Sequence, residues 1–239
     1  VQLRTLGDHQ FGPGVRVIGA ANEVADAAGG WDLAPALCNR FGHFDFEGLD
    51  TSDWTVGLLG SFKTPESVAP MDAAKLEEFV MAEWPGADAY ARGMVAGFIT
   101  RRPELLHKRP VRGAAGYRTW PSRRSVEYAT VALASARLHS LSEIDTDALM
   151  AAFVGMPWVS EFRAWTAMQD LPDPAAVLDG KVKFVHDERR LDRTMALLGA
   201  CAALVIPEKA AKRQERGGAA WQILGTVIKD AADIAIPAA

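Results

Sequence analysis

The chain has 239 residues, 49% of them hydrophobic, with 26 basic and 30 acidic side chains and a formal net charge of -4. That is enough for one large domain or two modest ones with real cores, and the near balance of charge excludes the broad basic stripe of a general nucleic-acid binder. No apolar run of about 18 residues suggests a membrane span, no basic-then-apolar leader opens the chain, and no internal repeat or low-complexity tract is present.

Val1 to Leu6 already alternates apolar and polar residues like a strand, so the chain is expected to begin inside a structural element, as a fragment would. With Gly7-Asp8 and Gly12-Pro13-Gly14 as turn residues, this start reads as a hairpin. Val15 to Ala21 follows, short, apolar and rich in β-branched and small residues, and predicts a buried central strand ending at Asn22. Asp32 then caps an expected short helix over Leu33 to Arg40, with Pro35 in its first turn. Cys38, in this helix, and the distant Cys201 both stand in apolar stretches and read as buried thiols of a reducing, cytoplasmic compartment. His43 to Phe46 alternates with period two and predicts another strand.

Apolar spacing of three and four residues predicts helices over Ala73 to Trp84, Ala87 to Thr100, Ser122 to Ser140, Asp145 to Phe153 and Ser160 to Met168. Leu171-Pro172-Asp173-Pro174 marks a boundary. A short strand, Lys183 to Val185, and helices over Arg190 to Ile206 and about Glu208 to Ile234 complete the chain.

Four residues stand out for chemistry. Asn22 is placed at the carboxyl end of an apolar strand, where open α/β sheets bind ligands; an ordinary turn asparagine is the alternative. Arg40 closes the short helix, either complementing its dipole or reaching a phosphate in a neighbouring subunit. Arg123 and Arg124 fall in the first turn of the helix capped by Ser122, where the dipole disfavours cations. Two arginines there make sense beside an anion, which a helix N-terminus also attracts; two solvated side chains are the alternative. The Phe184 to Glu188 segment and Gly180-Lys181 imitate nucleotide-binding motifs incompletely. The five histidines show no metal-ligand spacing.

Taken together, Arg16 to Asn22, Leu33 to Leu37, Asn39-Arg40-Phe41 and Pro121-Ser122-Arg123-Arg124-Ser125 resemble the second half of a MoxR-like AAA+ ATPase, in order and in spacing. The resemblance covers residues 1 to about 140. It implies an α/β remnant plus a mainly α remainder: the second half of an AAA+ core sheet in 1–60, a helical lid in 61–170 and a helical extension in 171–239. Asn22 then looks like sensor 1, Arg40 like a trans-acting arginine finger, and Arg124, with Arg123 as the alternative, like the sensor 2 contact to nucleotide.

The same resemblance implies ATP and Mg²⁺ as cofactors and a homo-oligomeric ring, a hexamer in the usual case. It implies a protein client to be remodelled, which in some members of the family is a von Willebrand-type domain protein. No Gly-x4-Gly-Lys-Ser/Thr loop and no complete apolar-Asp-Glu strand occur in the sequence. The chain alone is therefore expected neither to grip ATP tightly nor to hydrolyse it. The reading from another class is a non-catalytic helical interaction module, with Trp158, Phe162 and Trp165 facing a partner.

Overall fold

The computed structural model describes residues 5–6, 8–12, 15, 17–20, 35–46, 48–60, 62, 72–109 and 118–230. The chain divides into two units, Val1–Ala34 and Pro35–Ala239. In the first, β1 (Thr5–Leu6) pairs antiparallel with β2 (His9–Gln10), Thr5 opposite Gln10. This two-residue ladder is the only strand pairing among the described residues, and helix accounts for 69% of them.

The expected sheet is therefore corrected: no half of an AAA+ core sheet is formed by the described residues. A strand must hand its N–H and C=O groups to neighbours, and apolar alternation alone does not supply them. Ile18, expected in a buried central strand, is 91% exposed, and Val17 beside it is exposed too. In the expected strand His43 to Phe46, the His43 N–H donates to the Ala152 carbonyl at a helix end (2.9 Å), and Phe46 is 94% exposed. Lys183 to Val185 also forms no strand.

The second unit is a helical bundle. Its described helices are α1 (Pro35–Cys38), α2 (Thr51–Gly60), α3 (Ala73–Arg101), α4 (Arg123–Leu138), α5 (Glu143–Val154), α6 (Met156–Ala167), α7 (Pro174–Leu178), α8 (Leu191–Val205) and α9 (Ala210–Asp230). Caps explain most starts. Asp72 accepts from the Ala74 and Lys75 N–H groups, Ser142 from Asp145 and Asp173 from Ala175. The α5–α6 junction is Gly155 at φ 84°, a backbone region that suits glycine, followed by Pro157 in the first turn of α6.

Where two helices were expected around Pro85, α3 runs through it unbroken for 29 residues. An internal proline removes a hydrogen bond, and packing on α8 outweighs that loss. The pair α3 and α8 forms the most extensive helix contact of the bundle, through a seam of glycines. A Cβ on Gly93 would lie 2.7 Å from the Gly199 Cα, and one on Gly199 would lie 2.7 Å from the Ala89 carbonyl oxygen. A Cβ on Gly97 would meet the Asp192 carbonyl oxygen at 2.6 Å. Backbone thus rests on backbone with no room for a methyl group.

Beside this seam lies an aromatic core. Phe98 of α3 meets Trp158 edge-on (4.9 Å between centroids) and Phe162 edge-on (5.4 Å), while Trp158 and Phe162 stack at 5.6 Å. Trp158, Phe162 and Trp165 are all buried, so they build the core and offer no face to a partner. The Trp158 indole N–H donates to the Leu105 carbonyl (3.2 Å). The Trp165 N–H donates to the Asp192 carboxylate (3.4 Å), which also receives Arg190 through two bonds of 3.0 and 2.9 Å.

The last helix is held more lightly. Arg216 of α9 donates twice to Asp179 (3.0 and 2.8 Å) and once to Glu208 (2.8 Å), and Leu224 and Val227 pack on Leu198. Cys38 and Cys201 are buried free thiols, as expected. No helix among the described residues is long and apolar enough to cross a membrane.

Two predictions follow from the α3–α8 contact. Gly199→Ala should lower stability by about 1–3 kcal/mol, because the neighbour in the way is backbone. Gly218→Ala on the open face of α9, where nothing lies within 4 Å, should raise it by about 0.5–1 kcal/mol. Urea midpoints of the two variants check both, and a Gly199→Ala protein as stable as its parent would remove the seam as an explanation. The second concerns pH. Burial pushes the Asp192 carboxyl up, but the hydrogen bonds and charge of Arg190 and the Trp165 N–H pull it further down, to a net value below the usual one. A depressed carboxylate contributes stability in full above its unfolded pKa of about 3.9 and loses it as pH falls through the lower folded value. Asp192→Asn should therefore be less stable than the parent at pH 7, by about 1–3 kcal/mol given that Arg190 is part-exposed. That gap should shrink below about pH 4; thermal melts across pH 2–7 test it, and a constant gap contradicts the ion-pair account.

Candidate functional site

Pro121 and Ser122 turn the chain into α4, and this turn is the most elaborate cap in the molecule. Ser122 is extended (φ -144°, ψ 162°), and its hydroxyl accepts from the Ser125 N–H while the Ser125 hydroxyl accepts from the Ser122 N–H (3.2 and 2.8 Å). This is a capping box with serine in the place usual for glutamate. The Ser125 hydroxyl donates onward to the Trp120 carbonyl (2.7 Å).

The box is tied to a residue 83 positions earlier. Asn39, just past α1, accepts from the Ser122 hydroxyl through its Oδ1 (2.6 Å) and donates through Nδ2 to the Trp120 carbonyl (2.7 Å). A carbonyl can only accept, so the amide orientation is fixed by the partners themselves. Asn39 is 4% exposed and Ser125 1% exposed. In such a dry place each of these bonds is costly to lose. Further links run alongside. The Thr119 hydroxyl donates to the Phe153 carbonyl, Arg118 pairs with Asp45 (2.6 Å), and the His43 ring bonds the Cys38 carbonyl (2.9 Å).

The four residues singled out by sequence can now be placed. Asn22 lies outside the described residues. Arg40 is half-buried in the turn after α1, its N–H on the Leu37 carbonyl (2.9 Å), directly beside Asn39. Arg123 is exposed and Arg124 half-buried, at the first two positions of α4. The first turn of α4 holds no acidic residue, and neither arginine has an ion-pair partner among the described residues. The fold thus brings the segment bearing Arg40 to the cap of the helix bearing Arg123 and Arg124. Two cations beside the N–H ends of a 16-residue helix form a place suited to an anion. Among the described residues, no group of three His, Cys, Asp or Glu side chains converges as a metal site would require.

Sequence reasoning assigns Asn39 no role, although it stands in the Asn-Arg-Phe run. An amide after a short helix looks like any other C-terminal polar residue until its partner, 83 positions on, is known. The two decoys resolve as ordinary ends of helices. Gly180 takes φ 70° after α7, and the Asp187 carboxylate accepts from the Arg189 N–H to start a 3-10 turn, Glu188–Arg190.

No family model matches the chain, and no curated protein or solved structure is detectably similar to it.

The coupling between Asn39 and the cap is measurable. Asn39→Ala should cost about 1–3 kcal/mol, since it strands a buried hydroxyl, and Ser122→Ala about 1 kcal/mol for the cap. The double variant should lose about 1 kcal/mol less than the sum, because both changes remove one shared bond. Additive losses in a double-mutant cycle would show that the two sites do not communicate.

Proposed function

We propose that this chain is the helical, nucleotide-sensing portion of an ATP-dependent protein-remodelling machine of the MoxR-like AAA+ kind. The observation that carries the reading is the Asn39–Ser122 link. It joins the two arginine-bearing segments of the family pattern at one helix N-terminus, through hydrogen bonds removed from solvent. The donor set there suits a phosphate group: fixed N–H dipoles, plus guanidinium groups at Arg123 and Arg124.

In this reading Arg124, with Arg123 as its alternate, contacts the phosphates of bound ATP. Arg40 acts on the nucleotide of a neighbouring subunit in a homo-oligomeric ring, six-membered by resemblance. Asn22 serves as sensor 1. The client is a protein, with a von Willebrand-type partner as in some members of that family, and the setting is cytoplasmic. Magnesium has no comparable fit, because the described residues converge no carboxylates on this place. The phosphate grip would come from a Gly-x4-Gly-Lys-Ser/Thr loop outside these 239 residues.

A second reading is favoured by α2. Trp54, Val56, Leu58 and Leu59 are all exposed on this ten-residue helix, and exposed apolar clusters mark interaction surfaces. In that case the chain is a helical interaction module without a nucleotide.

Titration of the 239-residue chain with a fluorescent ATP analogue separates the two. The nucleotide-sensing reading expects weak binding, with Kd above about 100 µM, that weakens with salt and disappears in the Arg123→Ala, Arg124→Ala double variant. Absence of any arginine-dependent binding leaves the interaction module. A low-micromolar Kd would contradict the view that the phosphate grip lies elsewhere.

A further inference from the structure

A cleft of about 420 Å³ opens where α9 crosses the α3–α8 pair. Its floor is the glycine seam, with Gly93 of α3 and Gly199 and Ala202 of α8, and its wall is α9, with Gly217, Ala220 and Trp221. The cleft exists because the floor lacks side chains: where two helices touch through glycine, a third resting above them cannot fill the hollow. It shares no residue with the α4 cap.

The lining is mainly carbon. Arg92 is the single charged side chain among its described lining residues, and its Nε already donates to the Asp88 carboxylate at 2.7 Å. The other polar groups on the described lining are the Trp221 indole N–H and the Cys201 thiol. Burial pushes that thiol up to about 11, so it stays protonated and neutral at physiological pH. Ordered water needs two to four polar partners, and the described lining offers few side-chain groups of that kind. Water in the cleft is therefore held poorly, and its displacement by an apolar group is favourable.

We infer that the cleft between α3, α8 and α9 is a binding site for an uncharged, mainly aromatic or aliphatic small molecule. Size sets the scale. An apolar cavity of about 150 Å³ accepts benzene, so this one suits a molecule on the order of 15 non-hydrogen atoms, such as two or three linked rings or a medium acyl chain. A charged ligand is disfavoured, since an anion would compete with Asp88 for Arg92, and no Asp or Glu among the described lining residues is there to pair with a cation. Trp221, exposed on one side, presents a ring against which a flat ligand can lie.

The test uses the whole chain and N-phenyl-1-naphthylamine, a neutral probe of that size whose emission rises in apolar surroundings. The expected result is saturable binding of one molecule per chain, with Kd on the order of 10 µM. Gly217→Leu should weaken it at least about tenfold by filling the cleft. This variant is expected to fold, because a Cβ at Gly217 meets the Val205 Cγ1 at an ordinary 3.7 Å and leucine is the better helix former. Ala220→Leu, one turn on, provides a second filler should the first not fold. Gly218→Leu makes the same gain in helix propensity on the exposed face and should bind like the parent. No saturable binding, or equal binding by the Gly217→Leu and Gly218→Leu proteins, overturns the proposal; the latter would place the probe on another surface such as α2.

Discussion

The bundle depends on how closely α3 and α8 approach. Side-chain packing normally holds helix axes 8–10 Å apart, and glycines at the crossing let backbone meet backbone. At 2.6–2.7 Å from an imagined Cβ, the opposing atoms at Gly93, Gly97 and Gly199 leave no slack. The register of the two helices is consequently fixed. Gly97 sits on the Asp192 carbonyl, and that holds the start of α8 beside the aromatic core. Phe98, next to Gly97, then enters the space between Trp158, Phe162 and Trp165. One close contact therefore positions both the core and the buried carboxylate that bonds it.

Much of the helical part was legible because its signals are local. Ser122 as an N-cap, the boundary at Leu171-Pro172-Asp173-Pro174 and the three- and four-residue spacing of α4 to α6 and α8 all act within a few residues. For the proline and the expected strands the deciding partner is distant or missing. Pro85 reads as a break because local chemistry disfavours it in a helix, but Gly86 and Gly93 pack on α8 and the helix continues through it. Val15 to Ala21 has the short apolar run of a buried strand and His43 to Phe46 the alternation of one, yet both patterns describe side chains, whereas a strand is made by backbone partners. The α2 helix was overlooked although its signal is local. The Asp50 carboxylate accepts from the Asp53 N–H and the Ser52 hydroxyl, a start that sequence shows, but without an apolar stripe on one face the periodicity is weak.

The candidate site was half legible. Arg123 and Arg124 could be flagged because cations at a helix N-terminus oppose the dipole, a conflict visible in sequence alone. Their link to the Arg40 segment could not, because it passes through the amide of Asn39 and a serine hydroxyl. Both are common residues in common places, and only the fold makes them partners. The absence of a phosphate loop was also plain from sequence, which is why the reading of the site is one of sensing.

The way α9 is attached has a consequence for how the molecule opens. One guanidinium and a short row of apolar side chains, Ala219, Ala220, Ile223, Leu224 and Val227, hold it to the bundle, whereas α3 and α8 are locked along their length. Resistance to opening should therefore be graded along the chain, with the amides of α3 and α8 expected to exchange through global unfolding and those of α9 through a cheaper local detachment. Detachment also removes one wall of the cleft above the glycine seam. Anything bound there acts as a clamp, and its occupancy sets the fraction of time the last helix spends docked.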